Sequence, residues 1–305
     1  MQNVLKQRTL KTGLTGLFLF VVTTFVNADI TGGTNDPKLL FEKMLAGRSE
    51  VLYQGSIVYE GSGQLLSYSV NSAYPETPGL QVLKTLSGPQ KTYEFLNQPE
   101  CFSIVPSLDQ LSGWYNFSYI GASRVAGRTA HAIALRPVDP YRLGYNFVVD
   151  QETGLMLRST LMLADRRVLE RLQFVDVSIY SSADETGLET GTINQPQQQN
   201  RRDCQITESS TEWALDWIPE GFSMVKQTRE TDRESFLYSD GLSSFSLFFE
   251  SVNQLEIPAG AAQRGATTLL IKYYAGSGRA YIITFVGEVP SMTAERVMAG
   301  VRKSR

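Results

Sequence analysis

FLYSDGLSSFSLFFE, residues 236–250, reads as strand, tight turn, strand. Ser239-Asp240-Gly241 is a turn signal, and Phe245, Leu247 and Phe249 alternate with smaller or less buried positions, as one inward strand face requires. Five Phe or Tyr side chains crowd these fifteen residues, yet the stretch holds no His, Cys or Lys, and its only acids are Asp240 and Glu250. A segment so rich in aromatic surface and so poor in reactive groups suits scaffold or recognition rather than chemistry.

The same pattern continues downstream. TTLLIKYYAGSGRAYIITFVGEV is a second strand–turn–strand about Gly276-Ser277-Gly278. PSMTAERVMAGVRK follows, and its Met292, Ala294, Val297, Met298 and Val301 predict a short amphipathic helix covering the sheet. Upstream lies SSADETGLETGTINQPQQQNRRD, residues 181–203, with a glutamine run, a proline and almost nothing apolar; it reads as a linker or long exposed loop. Further upstream, strands recur at close spacing: VLYQGSIVYE with Tyr53, Gly55, Ile57 and Tyr59 on one face, then QLLSYSV with Leu66, Tyr68 and Val70. Others are predicted over 82–86, 93–96, 115–123, 130–135, 144–149, 155–163 and 169–179. One helix precedes them, with Asn35 or Asp36 as its cap, Pro37 in its first turn, and Leu39, Leu40, Met44 and Leu45 as its stripe. The expected fold is mainly β (α+β): a large antiparallel, barrel-like sheet, then a small antiparallel sheet with a helix.

The N-terminus is read separately. A basic start at Lys6, Arg8 and Lys11, an apolar run from Leu14 to Val26, and the small-residue site Val26-Asn27-Ala28 make a signal peptide cleaved after Ala28. Its removal takes three basic and no acidic groups, so the formal charge moves from −3 to −6. An acidic chain without a basic tail is a poor partner for nucleic acid. The expected division is therefore 1–28 signal peptide, 29–180 large sheet domain, 181–211 linker and 212–305 second domain.

Candidates for chemistry are few. His131 is the single histidine, placed in the alternating run AHAIAL, and reads as a packed or surface side chain; an exported hydrolase would have it as its only histidine base. Cys101 and Cys204 either form a disulfide, at home in an oxidising compartment, or remain two thiols. Two cysteines and one histidine do not build a usual zinc site, so no metal and no cofactor are expected. The acids Asp139, Asp150, Glu152, Glu185 and Glu189 fall at turns or in the linker, where solvation accounts for them. Arg166, Arg167, Glu170 and Arg171 in DRRVLERLQF read as a solvated strand edge. The alternating apolar face of the large sheet encloses either a filled core or an apolar ligand cavity.

Three strings carry a resemblance. WALDWIPEGFSMV, ESFLYSDGLSSFSLFFE and VGEVPSMTAERVMAGVRK closely resemble the second domain of the RseB/MucB family of periplasmic regulators of the envelope-stress sigma factor. WYNFSYIGASRVAGRTAHAIAL, YNFVVDQETGLMLRSTLM and RVLERLQFVDV follow that family's order in the first domain. The resemblance implies an open barrel similar to lipoprotein carriers, and a smaller C-terminal domain that helps grip the periplasmic segment of a membrane-bound anti-sigma factor. It implies a non-enzymatic, negatively acting periplasmic regulator that shields its partner from proteolysis, with a lipid or lipopolysaccharide-type ligand loosening the grip and with possible self-association. The lipid would meet the strand face of Tyr53, Ile57, Tyr59, Leu66 and Tyr68; Tyr238, Asp240 and Phe245 are the partner-contact candidates from motif membership. The competing function is a lipid or lipoprotein carrier.

Overall fold

The computed structural model describes residues 35–72, 74, 80–96, 108–180, 211–252, 258–276 and 279–303. The signal-peptide reading, both cysteines and nearly all of the expected linker lie outside the described residues.

Helix α1 (Pro37–Glu50) opens the described chain, capped by Asp36, whose carboxylate accepts the Lys38 N–H at 2.8 Å. The strands that follow are β1 (Leu52–Gly61), β2 (Gln64–Asn71), β3 (Leu80–Thr85) and β4 (Thr92–Leu96). After helix α2 (Leu108–Trp114) come β5 (Tyr115–Val125), β6 (Arg128–Pro137), β7 (Gly144–Asp150), β8 (Met156–Met162) and β9 (Val168–Tyr180). They form one nine-stranded sheet in the order β4-β3-β2-β1-β9-β8-β7-β6-β5, every pair antiparallel. The first and last strands of the series, β1 and β9, pair at its middle, and β4 and β5 are its two edges.

α1 packs on the β5–β8 part of this sheet. Leu40, Phe41 and Met44 are buried against Leu111, Ile133, Leu135, Phe147 and Val149. Phe41, fully buried, meets Phe117 edge-on at 5.5 Å. Of the expected helix stripe Leu40 and Met44 are buried and Leu45 packs beside them, while Leu39 is 47% exposed and Phe41 joins the inward face. A second cluster, built on Tyr53, Ile57, Val70, Leu157 and Phe174, fills the β1–β9 side.

The C-terminal half contains β10 (Trp213–Leu215), β11 (Ser223–Arg229), β12 (Arg233–Ser239), β13 (Ser244–Val252), β14 (Gly260–Arg264), β15 (Thr267–Gly276), β16 (Arg279–Gly287), helix α3 (Ser291–Ala299) and β17 (Val301–Lys303). Six of these strands form an antiparallel sheet in the order β11-β12-β13-β16-β15-β14, and β10 pairs with β17. The quoted hairpin is β12 and β13, and Phe245, Leu247 and Phe249 do point inward, all at most 2% exposed. Trp213 stacks on Phe249 at 4.4 Å, and Ala294, Val297 and Met298 of α3 close the core. Met292, expected in that helix stripe, is exposed, while Thr293 is buried. Mainly β with one large and one small antiparallel sheet is the expected class. The described residues all fall in one compact unit.

Candidate functional site

The two sheets meet along a seam, and the β12–β13 turn is its centre. Asp240 Oδ1 accepts the N–H groups of Leu242 and Ser243 at 2.9 and 2.8 Å, which fixes the turn. Its other oxygen, Oδ2, faces the N-terminal sheet and accepts from the Tyr115 hydroxyl and from Arg142 Nη1, both at 3.0 Å. Arg142, in the β6–β7 connection, is entirely buried, as is the Asp240 side chain. The guanidinium also binds Asp139 at 2.9 Å and donates to the Glu220 carbonyl at 2.5 Å. Trp114, Tyr115 and Phe222 rings surround it at 5.2, 5.7 and 5.5 Å. Beside it, Tyr145 Oη and Ser243 Oγ are 2.9 Å apart.

The stretch around Glu220 is shaped to the same end. Gly221 has φ +82°, and a Cβ there would lie 2.4 Å from Trp114 Nε1, so a side chain is barred by both backbone and neighbour. Phe222 then enters the C-terminal core against Phe245. On the flank, Tyr141 meets Trp217 edge-on at 4.8 Å, Thr293 Oγ1 donates to the Tyr141 carbonyl at 2.8 Å, and Arg296 lies over Trp217 and donates to the Tyr141 hydroxyl.

The other end of the seam is wetter. Glu170 of β9 accepts the Ala266 N–H at 2.7 Å, at a β14–β15 turn where Gly265 has φ +59° and a Cβ would sit 2.1 Å from the Glu170 carboxylate. Arg264 donates to Gln64 at 3.0 Å. Tyr59, Leu66, Glu170, Arg264 and Thr267 line a cleft of about 310 Å³ there. Burial, then the hydrogen bond and charge of Glu170, push the Tyr59 hydroxyl up to about 12.

Charge at the buried end follows from desolvation. Burial raises the Asp240 carboxyl above its ordinary value, although the Leu242 and Ser243 N–H groups, Arg142 and Tyr115 pull it back. Burial likewise pushes Tyr115 and Tyr145 up. A second ion pair, Arg128–Asp150, lies in the N-terminal sheet beside a polar cleft of about 500 Å³. There burial opposes ionisation too, but hydrogen bonds from Arg128 and Thr153 hold Asp150 below its ordinary value. Solvation therefore does not account for Asp139 and Asp150, contrary to their sequence reading: each binds an arginine. Glu170, expected on a solvated edge, crosses the seam instead.

The five strand residues expected to meet lipid do not line one cavity. Tyr53 and Ile57 are buried in the cluster around Phe174, Tyr68 packs half-buried against it, and Tyr59 and Leu66 line the seam cleft. Of the partner-contact candidates, Phe245 is sandwiched between Tyr238 at 5.1 Å and Phe285 at 5.0 Å, and Asp240 is sealed in the seam. Neither Phe245 nor Asp240 reaches an open surface; Tyr238 is half-buried. His131 is half-buried, with Nδ1 3.1 Å from the Tyr119 hydroxyl. Among the described residues no three His, Cys, Asp or Glu side chains converge as a metal site. Sequence reasoning missed Arg142 altogether, since an arginine in a polar turn (VDPYRLG) carries no signal of burial.

The MucB/RseB N-terminal domain profile matches residues 97–192, and the MucB/RseB C-terminal domain profile matches residues 207–302. The sigma factor AlgU regulatory protein MucB of Pseudomonas aeruginosa is 34% identical over 209 residues, covering 63% of this chain and 62% of that protein. The sigma-E factor regulatory protein RseB of Haemophilus influenzae is 34% identical over 207 residues, covering 64% and 62%. The match thus spans about three fifths of the length of these relatives. The solved complex of Pseudomonas aeruginosa MucA and MucB contains a chain 26% identical, with TM-score 0.71, over 88% of this chain and 99% of that one. MucB in complex with MucA(peri) superposes with TM-score 0.70 at 27% identity, over 88% and 100%.

Proposed function

This chain belongs to the MucB/RseB family, and from that premise we propose that it binds the periplasmic segment of a membrane-anchored anti-sigma factor. Bound there, it shields the segment from proteolysis and so restrains the envelope stress response. The chain acts in the periplasm after signal-peptide cleavage, performs no catalysis, and consists of two domains with the boundaries expected above. One observation carries the reading: the stretches that resemble the family, WIPEGF and YSDGL, meet the N-terminal sheet through Arg142, Tyr115 and Trp114. What the sequence resemblance marks is therefore the joint that sets two recognition surfaces in one orientation, and the fold shared with MucA-bound MucB supports that use.

A lipid-type amphiphile releases the partner by preferring the partner-free form. A coupling of about 1–3 kcal/mol suffices to change partner affinity roughly 5- to 150-fold. The seam cleft of Tyr59 and Leu66 is where such a ligand would act on the joint, since Glu170 and Arg264 from its walls bridge the two halves. The test is titration of the mature chain into the anti-sigma periplasmic segment, with and without a lipid A-type amphiphile. Tight binding weakened by the amphiphile supports both parts, and binding indifferent to it removes the lipid arm. Transfer of lipoproteins without anti-sigma binding would instead favour the carrier.

A further inference from the structure

The N-terminal sheet has a face that the seam does not use. Register places Asn146, Thr160, Arg171 and Glu60 in one row across β7, β8, β9 and β1, with Val148, Arg158 and Gln173 in the row beside it. Residues two apart on a strand share a face. Arg136, two beyond the Ala134 that pairs with Asn146, therefore joins this face, and Val168 stands at its margin, at the β8–β9 bulge.

The charge on this face is lopsided for an acidic chain of formal charge −3. Among the described residues Arg136 and Arg158 have no carboxylate partner; Arg136 donates only to the Met162 sulfur. Arg171 pairs with Glu60 at 3.2 Å, both well exposed, and Arg166 and Arg167 stand exposed in the β8–β9 turn beside Asp165. Five arginines thus stand against Glu60 and Asp165, with Asp176 farther along the same face through its pairing with Ser56. Like charges crowd one another here: burial and then the Arg171 charge pull Arg158 down, and burial and then Arg166 pull Arg136 down. Two aliphatic side chains flank the arginines in the open, Leu65 at 70% and Val168 at 45% exposure.

We propose that this arginine face docks the chain on an anionic lipid surface. Guanidinium groups take phosphate oxygens two at a time, which relieves the repulsion among them. The arginines spread over β6 to β9, about 15 Å at the usual strand spacing, wider than one phosphate. They lie outside both clefts described above. Exposed aliphatics beside basic residues favour a lipid interface over an acidic peptide, because their burial adds to the electrostatic attraction. The inference is independent of the anti-sigma reading.

The test is flotation of the full mature chain with phosphatidylcholine vesicles and with vesicles containing phosphatidylglycerol. The expected result is binding to the anionic vesicles alone, weakened by salt. Arg136→Gln/Arg158→Gln should lower it about 25-fold, at about five-fold per arginine. The Arg136→Lys/Arg158→Lys variant should keep most of the binding and guards against a folding defect. Equal binding to neutral vesicles, or undiminished binding by the glutamine variant, would overturn the proposal. So would equal competition by soluble glycerol phosphate, which would make the face a free-anion site, or preference for an acidic peptide over vesicles.

Discussion

Two buried aspartates, each tied to an arginine, behave in opposite ways. Asp150 caps a turn in the N-terminal sheet, and its partner Arg128 keeps a quarter of its side chain in water. Asp240 lies between the two sheets with Arg142, and neither side chain is exposed at all. The first carboxyl is held below its ordinary value and the second is pushed above it by burial. Where one partner stays hydrated, the pair stabilises; where both are sealed, desolvation outweighs attraction, and the pair acts by fixing geometry. The Arg142–Asp240 pair is thus a registry device at the joint of the molecule.

The largest way to break this contrast is Asp240→Ala. It leaves Arg142, Tyr115 and two backbone N–H groups without their acceptor in a dry seam, and should cost about 3–5 kcal/mol in urea unfolding. Replacing both partners, as Arg142→Met/Asp240→Asn, removes the charges while the introduced amide oxygen still accepts the Leu242 and Ser243 N–H groups. It should return stability to within about 2 kcal/mol of the parent. Such rescue without the ion pair would show that the charges set orientation rather than stability. Gly221→Ala attacks the same joint through the backbone and should cost about 1–3 kcal/mol from its positive φ alone, with Trp114 displaced and its fluorescence altered.

The two aspartates also differ with pH. A depressed folded value, as at Asp150, supplies stability above the ordinary carboxylate range that is lost as pH falls through that depressed value. A raised value, as at Asp240, works the other way: its contribution is complete below the ordinary range and is lost as pH rises. Unfolding midpoints followed from neutral to acid pH should therefore lose part of their acid dependence in Asp150→Asn and show a steeper acid dependence in Asp240→Asn. The smallest effect belongs to an exposed pair. Arg302→Ala, which removes the contact to Asp216, should change stability by at most about 0.5 kcal/mol. A larger loss there would undercut the ranking by burial.

Much of this fold was legible because strand periodicity is local. Alternation over 53–59 and 245–249, and turn chemistry at Asp240, are properties of neighbouring residues, and the sheets follow them. What stayed hidden depends on distant partners. Helix α2, only seven residues long, shows no full amphipathic period. Strand β17 exists because Trp213 to Leu215, far away in sequence, pairs with it. The joint was the least legible part. Asp240 was singled out by its motif as a partner-contact candidate, and its burial between the sheets against Arg142 was not foreseen. Glu170 read as part of a solvated edge and Arg142 drew no reading at all, since burial between two sheets is decided by packing that no local pattern encodes.

The central claim is that the Arg142–Asp240 joint presents the two halves to the anti-sigma segment in one orientation. The most direct measurement is calorimetric affinity for that segment, comparing the parent chain with the folded Arg142→Met/Asp240→Asn variant. The account expects tight binding by the parent and at least about a tenfold loss, roughly 1.4 kcal/mol, in the variant at little change in stability. Equal affinity of the two would contradict it, and no binding by the parent would remove the function itself.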